Sequence, residues 1–122
     1  IGHYEIRERG PDRFKAFSQV FQGLTSHPHI PEEFANMPKD MEGQARETLE
    51  NLRKGLESVG ASFADLVVAN RFLTDLSMQD TLNKIWNEYM GDNKPTTTTV
   101  QVVQLATDPR CLLEVNAIAV VD

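Results

Sequence analysis

From Asp40 onward the hydrophobic spacing changes period from segment to segment, and that alternation restricts the chain to a few layered folds. Ala45, Leu49, Leu52, Leu56 and Val59 recur at helical spacing, behind Asp40 as a candidate N-cap and Glu42 in the first turn. Gly60 follows, where a helix end favours a left-handed residue. Leu66–Leu73 (LVVANRFL) is a mostly apolar run of strand length. The spacing predicts a second helix from about Ser77 or Met78 to Met90, with Leu82, Ile85, Trp86 and Tyr89 on one face, most simply core. Gly91-Asp92-Asn93 closes it. Two strand-like segments end the chain, Lys94–Leu105 (KPTTTTVQVVQL) and Leu112–Val121 (LLEVNAIAVV). Their threonines and valines branch at Cβ and suit a pleated surface.

Upstream, Gly2–Glu8 and Ala16–Leu24 read as strands separated by the turn signal Arg9-Gly10-Pro11-Asp12. Thr25–Lys39, with its prolines and its two histidines, reads as a loop. The order is ββαβαββ, an α/β (α+β) fold in which a mixed sheet carries two helices on one face. Its length of 122 residues suits a single domain, 1–122. The other face of the sheet needs a cover, because its Val and Leu side chains would otherwise form a large exposed apolar patch.

Composition narrows the partners. Eighteen acidic residues against 12 basic give a net charge of −6, and the basic residues are scattered through Arg7, Arg9, Arg13, Lys15, Arg46, Arg53 and Lys54. Nucleic-acid binders need a basic footprint to neutralise phosphates, so no nucleic-acid partner is expected. No apolar run approaches the roughly 20 residues of a membrane helix, and no signal-peptide layout is visible at the start. The single cysteine, Cys111, forms no internal disulfide, which fits a reducing cytoplasm. Beside Arg110 in sequence, its thiol is either activated by that charge or buried and inert. His27-Pro28-His29 lacks the further ligands of a metal shell. No Ser–His–Asp order, Walker loop or dinucleotide fingerprint exists, so no cofactor is expected.

Taken in order and spacing, Asp40–Leu52 (DMEGQARETLENL), Val59–Leu76 (VGASFADLVVANRFLTDL), Asn83–Asp92 (NKIWNEYMGD) and the two last strands resemble the YjgF/RidA family. These are small trimeric proteins that include 2-iminoacid and enamine deaminases. The similarity covers roughly residues 38 to 121, and no single motif carries it. It implies a homotrimer of chorismate-mutase-like fold, two further copies covering the open sheet face, and a ligand site in the cleft between subunits.

The resemblance also implies two charged site residues, and both are replaced. In the family pattern Pro-x-Arg-(Ser/Thr)-x-Val, an arginine holds the substrate carboxylate through a two-pronged ionic hydrogen bond, which only a guanidinium presents. Here Pro95-Thr96-Thr97-Thr98-Thr99-Val100 puts Thr97 at that position. In the pattern Glu-(Ile/Val)-Glu-Ala-Ile-Ala, the second glutamate holds the attacking water. Here Glu114-Val115-Asn116-Ala117-Ile118-Ala119 keeps the first and puts Asn116 at the second. An amide positions water but is no base near neutral pH. Gly10-Pro11-Asp12-Arg13-Phe14 stands for a Gly-Pro-Tyr-Ser-Gln segment, and Gln22-Gly23-Leu24 for a later Ser-Gly-Gln, which leaves Gln22 and Gly23 as candidate ligand contacts. Asn83 matches a helix asparagine of the family.

Arg71 stands mid-strand in VVANRFL, where the family carries an apolar residue. A guanidinium among buried neighbours is costly unless paired, so it either faces the cleft as a substitute clamp or pairs with an acid such as Glu114. Two functions remain open. One is a divergent enzyme that binds and converts a small imine, enamine or carbonyl metabolite, a hydrolase- or tautomerase-type activity other than standard 2-iminoacid deamination. The other is a non-catalytic trimer that binds a metabolite or a protein.

Overall fold

Asp40 starts helix α1 (Met41–Ser58) by accepting a hydrogen bond from the Gly43 N–H at 3.1 Å, which satisfies one of the donors that a helix start leaves free. Ala45, Leu49, Leu52 and Leu56 are fully buried along one face, as their spacing predicts. Beyond the helix, Gly60 takes φ +76°, and the Ala61 N–H returns to the Leu56 carbonyl at 2.9 Å. The computed structural model describes residues 3–9, 14–22, 37–106 and 108–121, the first two stretches and residue 121 as backbone.

Strand β3 (Leu66–Leu73) comes next, followed by a turn of 3-10 helix and then helix α2 (Gln79–Met90). Leu82, Ile85, Trp86 and Met90 of α2 are buried against the same core, while Tyr89 is half-buried and packs edge-on against Phe63 at 5.6 Å. With β1 (His3–Arg9), β2 (Phe14–Gln22), β4 (Thr96–Gln101) and β5 (Leu113–Val121), the strands form one five-stranded sheet in the order β1-β2-β5-β3-β4. The pair β3–β4 is parallel, joined through α2, and the other pairs are antiparallel. The mixed sheet and the ββαβαββ order agree with the sequence reading. Residues 23–36 of the expected loop, with His27 and His29, lie outside the described residues, as does Gly23.

Strand β4 is shorter than its apolar pattern predicts. It stops at Gln101, one bond after which the Val102 N–H donates to the Leu73 carbonyl at 2.8 Å. Among the described residues its only ladder partner is β3, which ends at Leu73, so the pairing ends there too. Val103 is left fully exposed.

The alternation of β3 and β5 sorts their side chains into two faces. Ala69, Arg71 and Leu73, with Leu113, Val115, Ala117 and Ala119, lie beneath the helices and are buried. The opposite face carries Asn70 and Phe72 of β3 beside Glu114, Asn116 and Ile118 of β5. Phe72 packs against a small cluster of Met37, Leu105 and Cys111, joined by Val102, so Met37 and residues from the β4–β5 connection cover one end of this face. Ile118 remains 38% exposed at the other.

One buried polar residue ties that connection to α1. Gln44 Nε2 donates to the Pro38 carbonyl at 2.9 Å and to the Arg110 carbonyl at 3.0 Å, and its Oε1 accepts from the Leu112 N–H at 2.7 Å. The start of β5 is thereby fixed against the helix layer.

Candidate functional site

Arg71 projects from β3 toward α2 and is only 5% exposed. Its Nε donates to Thr99 Oγ1 at 2.9 Å and one Nη2 proton goes to Asn83 Oδ1 at 2.8 Å. The guanidinium carbon lies 5.0 Å from the centre of the Trp86 ring, an arrangement that favours a cation. Among the described residues no carboxylate pairs with it. Burial pushes its pKa down from the usual guanidinium value, yet an arginine stays charged in proteins. Two of its five N–H donors have these partners, and among the described residues the other three have none.

Beside Arg71 lies a pocket of about 300 Å³, lined also by Asn83, Trp86, Asn87, Lys94 and Thr97. Its lining includes two cationic side chains and no acidic one. The Gly91 backbone, at φ +58°, turns the chain along the edge of the pocket. The next loop is held by Asn93, whose Nδ2 donates to the carbonyls of Phe63 at 2.7 Å and Leu66 at 3.0 Å. Short bonds from a neutral amide give this wall a fixed shape.

Thr97 shares the pocket. It is exposed, stands opposite Ala69 in the β3–β4 register, and donates from Oγ1 to the Pro95 carbonyl at 3.0 Å. Asn116 is elsewhere. It pairs in register with Asn70, whose Nδ2 donates to its Oδ1 at 2.8 Å on the face away from the helices. Within one chain, Thr97 and Asn116 therefore lie on opposite faces of the sheet. Arg71 joins the first and not the second.

Glu114 is on the Asn116 face, opposite Phe72 of β3 and opposite Gln22 of β2. The expected alternative in which Arg71 pairs with Glu114 is thereby corrected. The register partner of Arg71 is Val115, so successive residues of β5 point away from each other and the acid cannot reach it. Gln22 is placed by its backbone alone. Nothing in the sequence singles out Asn70, although its register with Asn116 follows once β3 and β5 are paired.

Cys111 is 1% exposed. Burial first, and then the nearby charge of Asp108, push its thiol pKa up, while Arg110 acts in the lowering direction. Arg110 is itself bound to the Asp108 carboxylate at 2.9 and 3.1 Å. The thiol is protonated and shielded. Among the described residues no cluster of three His, Cys, Asp or Glu side chains could hold a metal ion, and no helix is long and apolar enough to cross a membrane.

A parallel strand pair bridged by α2, an antiparallel β5 beside it and a small polar pocket at the helix–sheet edge define the class: a small α+β protein with the YjgF fold. Sequence and structure comparisons give the family. A family model described as Endoribonuclease L-PSP matches residues 28–121, and the chain belongs to this YjgF/RidA family. A RutC family protein of Pyrococcus abyssi is 35% identical over 92 residues, which is 75% of this chain and 71% of that protein. TdcF of Escherichia coli, to which reactive intermediate deaminase activity is attributed, is 34% identical over 87 residues, 69% of this chain and 66% of TdcF. The matched stretch thus spans about two thirds of each relative. The crystal structure of E. coli TdcF with bound serine superimposes with a TM-score of 0.73 at 26% identity, covering 93% of this chain and 85% of TdcF. Rv2704 of Mycobacterium tuberculosis, a YjgF/YER057c/UK114 family member, gives 0.70 at 25% identity over 87% of this chain and 84% of that one.

Proposed function

We propose that this chain is a divergent RidA-type protein that binds a small imine, enamine or carbonyl metabolite at clefts completed by further copies of itself in a homotrimer, and that it is not a standard 2-iminoacid deaminase. The observation that carries this reading is the state of Asn116. Its Oδ1 already accepts a hydrogen bond from Asn70 at 2.8 Å, so a neutral amide pair occupies the position where the family pattern implies a water-holding carboxylate. An amide lacks a basic lone pair, and chemistry there relies on positioning and neutral donors rather than on proton abstraction. The serine bound by TdcF supports a ligand of amino-acid size. A pocket of about 300 Å³ at the lower end of small-molecule sites agrees with that scale.

The same observation favours a second reading, a binding module that holds a metabolite without turnover. RNA cleavage, which the family description names, has little support in a chain with a net charge of −6.

Release of ammonia and keto acid from an iminoacid generated in situ tests the proposal. The wild type is expected to be inert, and the double variant Thr97→Arg, Asn116→Glu to gain activity. Turnover by the wild type would show that another group holds the water and would refute the reading. Conversion of an enamine or carbonyl substrate by the wild type would separate the enzyme from the binding module.

A further inference from the structure

We propose that strand β4 is a movable wall of the pocket beneath α2 and that Arg71 is the latch that holds it shut from β3. The inference goes beyond the proposed function. It concerns how the pocket opens and depends on neither the reaction nor the ligand.

The strand is lightly held. Among the described residues β4 pairs only with β3, in parallel register from Val68↔Thr96 to Leu73↔Gln101, and stands at the edge of the sheet. Parallel pairing is slightly weaker per residue than antiparallel pairing. Thr99 is the one half-buried residue of β4, and the others are exposed. Little apolar burial therefore opposes its release, which puts β4 at the low-stability end of the sheet. Strands β3 and β5, by contrast, bury Ala69, Leu73, Leu113, Val115 and Ala117 in the core. The two ends of β4 are pinned. Asn93 holds the loop before it through the carbonyls of Phe63 and Leu66, and the Val102 N–H donates to the Leu73 carbonyl just after it. A strap fixed at its ends and loose between them is the result.

Three side chains on the helix-facing side of β4 could tie it down, and they differ. Thr97 Oγ1 donates to the Pro95 carbonyl, a bond within its own segment that holds nothing else. Gln101 accepts from the Leu76 N–H at 2.9 Å and secures only the end. Thr99 alone ties the middle, by accepting from Arg71 Nε at 2.9 Å. Through Nη2 the same guanidinium donates to Asn83 at 2.8 Å on α2, and Trp86 lies 5.0 Å from its carbon. One planar group with donors on fixed bearings thus joins the core strand, the edge strand and the helix. Pro95 and Thr97 line the pocket from the strap side, with Asn83 and Trp86 opposite. Release of Thr99 lets Thr97 move outward and opens the pocket along its β4 edge.

A latch has a signature that a general prop for the fold lacks. Burying a guanidinium with no acid beside it is costly, so Arg71→Met, which removes the charge, should leave global stability unchanged or raise it. The same substitution removes the only tie to the middle of β4. Global and local stability should therefore respond in different ways.

Native-state hydrogen exchange, read amide by amide by NMR, measures both. In the wild type, amides of β4 should exchange faster than those of β5. Arg71→Met should speed exchange across β4 by about tenfold or more, the loss of one hydrogen bond from a charged donor. Amides of β5 and α1 should be unchanged or slower. Thr99→Val keeps the side-chain shape, removes the acceptor and should speed β4 in the same way. It lies on the edge strand and covers the case in which the methionine variant fails to fold.

Three outcomes would overturn the proposal. They are β4 exchange as slow as that of β5 in the wild type, equal acceleration of β4 and β5 in the variants, and unchanged β4 exchange in folded Arg71→Met or Thr99→Val. None of them bears on iminoacid turnover, so the latch and the reading of Asn116 fail separately.

Discussion

Replacing Gln44 by leucine should destabilise the fold far more than a single polar substitution usually does. The side chain is fully buried and makes three hydrogen bonds, at 2.7, 2.9 and 3.0 Å, to the backbone of Leu112, Pro38 and Arg110. A net bond contributes about 1 kcal/mol, and an abandoned buried partner costs about 1–3 kcal/mol. The three partners are only part-buried, so water recovers some of the loss. Leucine also buries apolar surface of similar volume, which offsets roughly 1 kcal/mol. The expected balance is a destabilisation of about 2–4 kcal/mol. With an unfolding entropy of about 2.1 cal/mol/K per residue, each kcal/mol lowers the Tm of a chain this long by about 4 °C. A fall of about 8–16 °C is therefore expected in thermal unfolding followed by circular dichroism. Gln44→Glu should be at least as damaging, because a carboxylate cannot donate to the two carbonyls. A leucine variant within about 2 °C of the wild type would show that these bonds carry no net stability and would refute the reasoning.

Two further outcomes follow from the same geometry. Asp40→Ala removes the N-cap acceptor of α1 and should cost about 1 kcal/mol, seen as a drop of about 4 °C in the same melt, with Asp40→Asn retaining most of the stability. Cys111 should react with a disulfide reagent much more slowly in the native protein than in denaturant. Its thiol pKa is raised by folding, so the folded chain keeps a proton that the unfolded chain loses at alkaline pH. Stability from this group is full below the unfolded pKa and falls as pH rises through the folded value. Denaturant melts across the alkaline range should follow that sign in the wild type and lose it in Cys111→Ala.

The sequence displayed the helices and β3 almost to the residue, because Asp40, Gly60, Gly91 and the 3.6-residue apolar spacing are local signals. It overran β4, because the Val100, Val102 and Val103 pattern says nothing about where the neighbouring strand stops. Gln44 was invisible for a related reason. Nothing in EGQAR marks a glutamine whose three partners lie as far as 68 residues away. The division of the candidate site was also hidden. Thr97 and Asn116 align with two positions that the family pattern links, yet only strand register reveals that their side chains leave opposite faces of the sheet. Arg71 stood out from sequence by its cost in an apolar strand, and the choice between its two expected partners needed the register that puts Glu114 on the other face.

Arg71 and Thr97 are best treated as one change rather than two. Their strands are adjacent and parallel, and both residues line the same pocket. Thr97 stands two residues before Thr99, the register partner of Arg71, so the two are diagonal neighbours, still near enough for guanidinium groups at both positions to repel each other. A threonine at 97 removes that conflict and leaves a small hydroxyl. Relative to the family pattern, the positive charge stands not on the exposed edge strand but on the strand inside it, where Asn83, Thr99 and Trp86 fix its direction. The substitution at 97 thus leaves the pocket with a positive charge of fixed direction, and the neutral Asn70–Asn116 pair on the far face supplies no base.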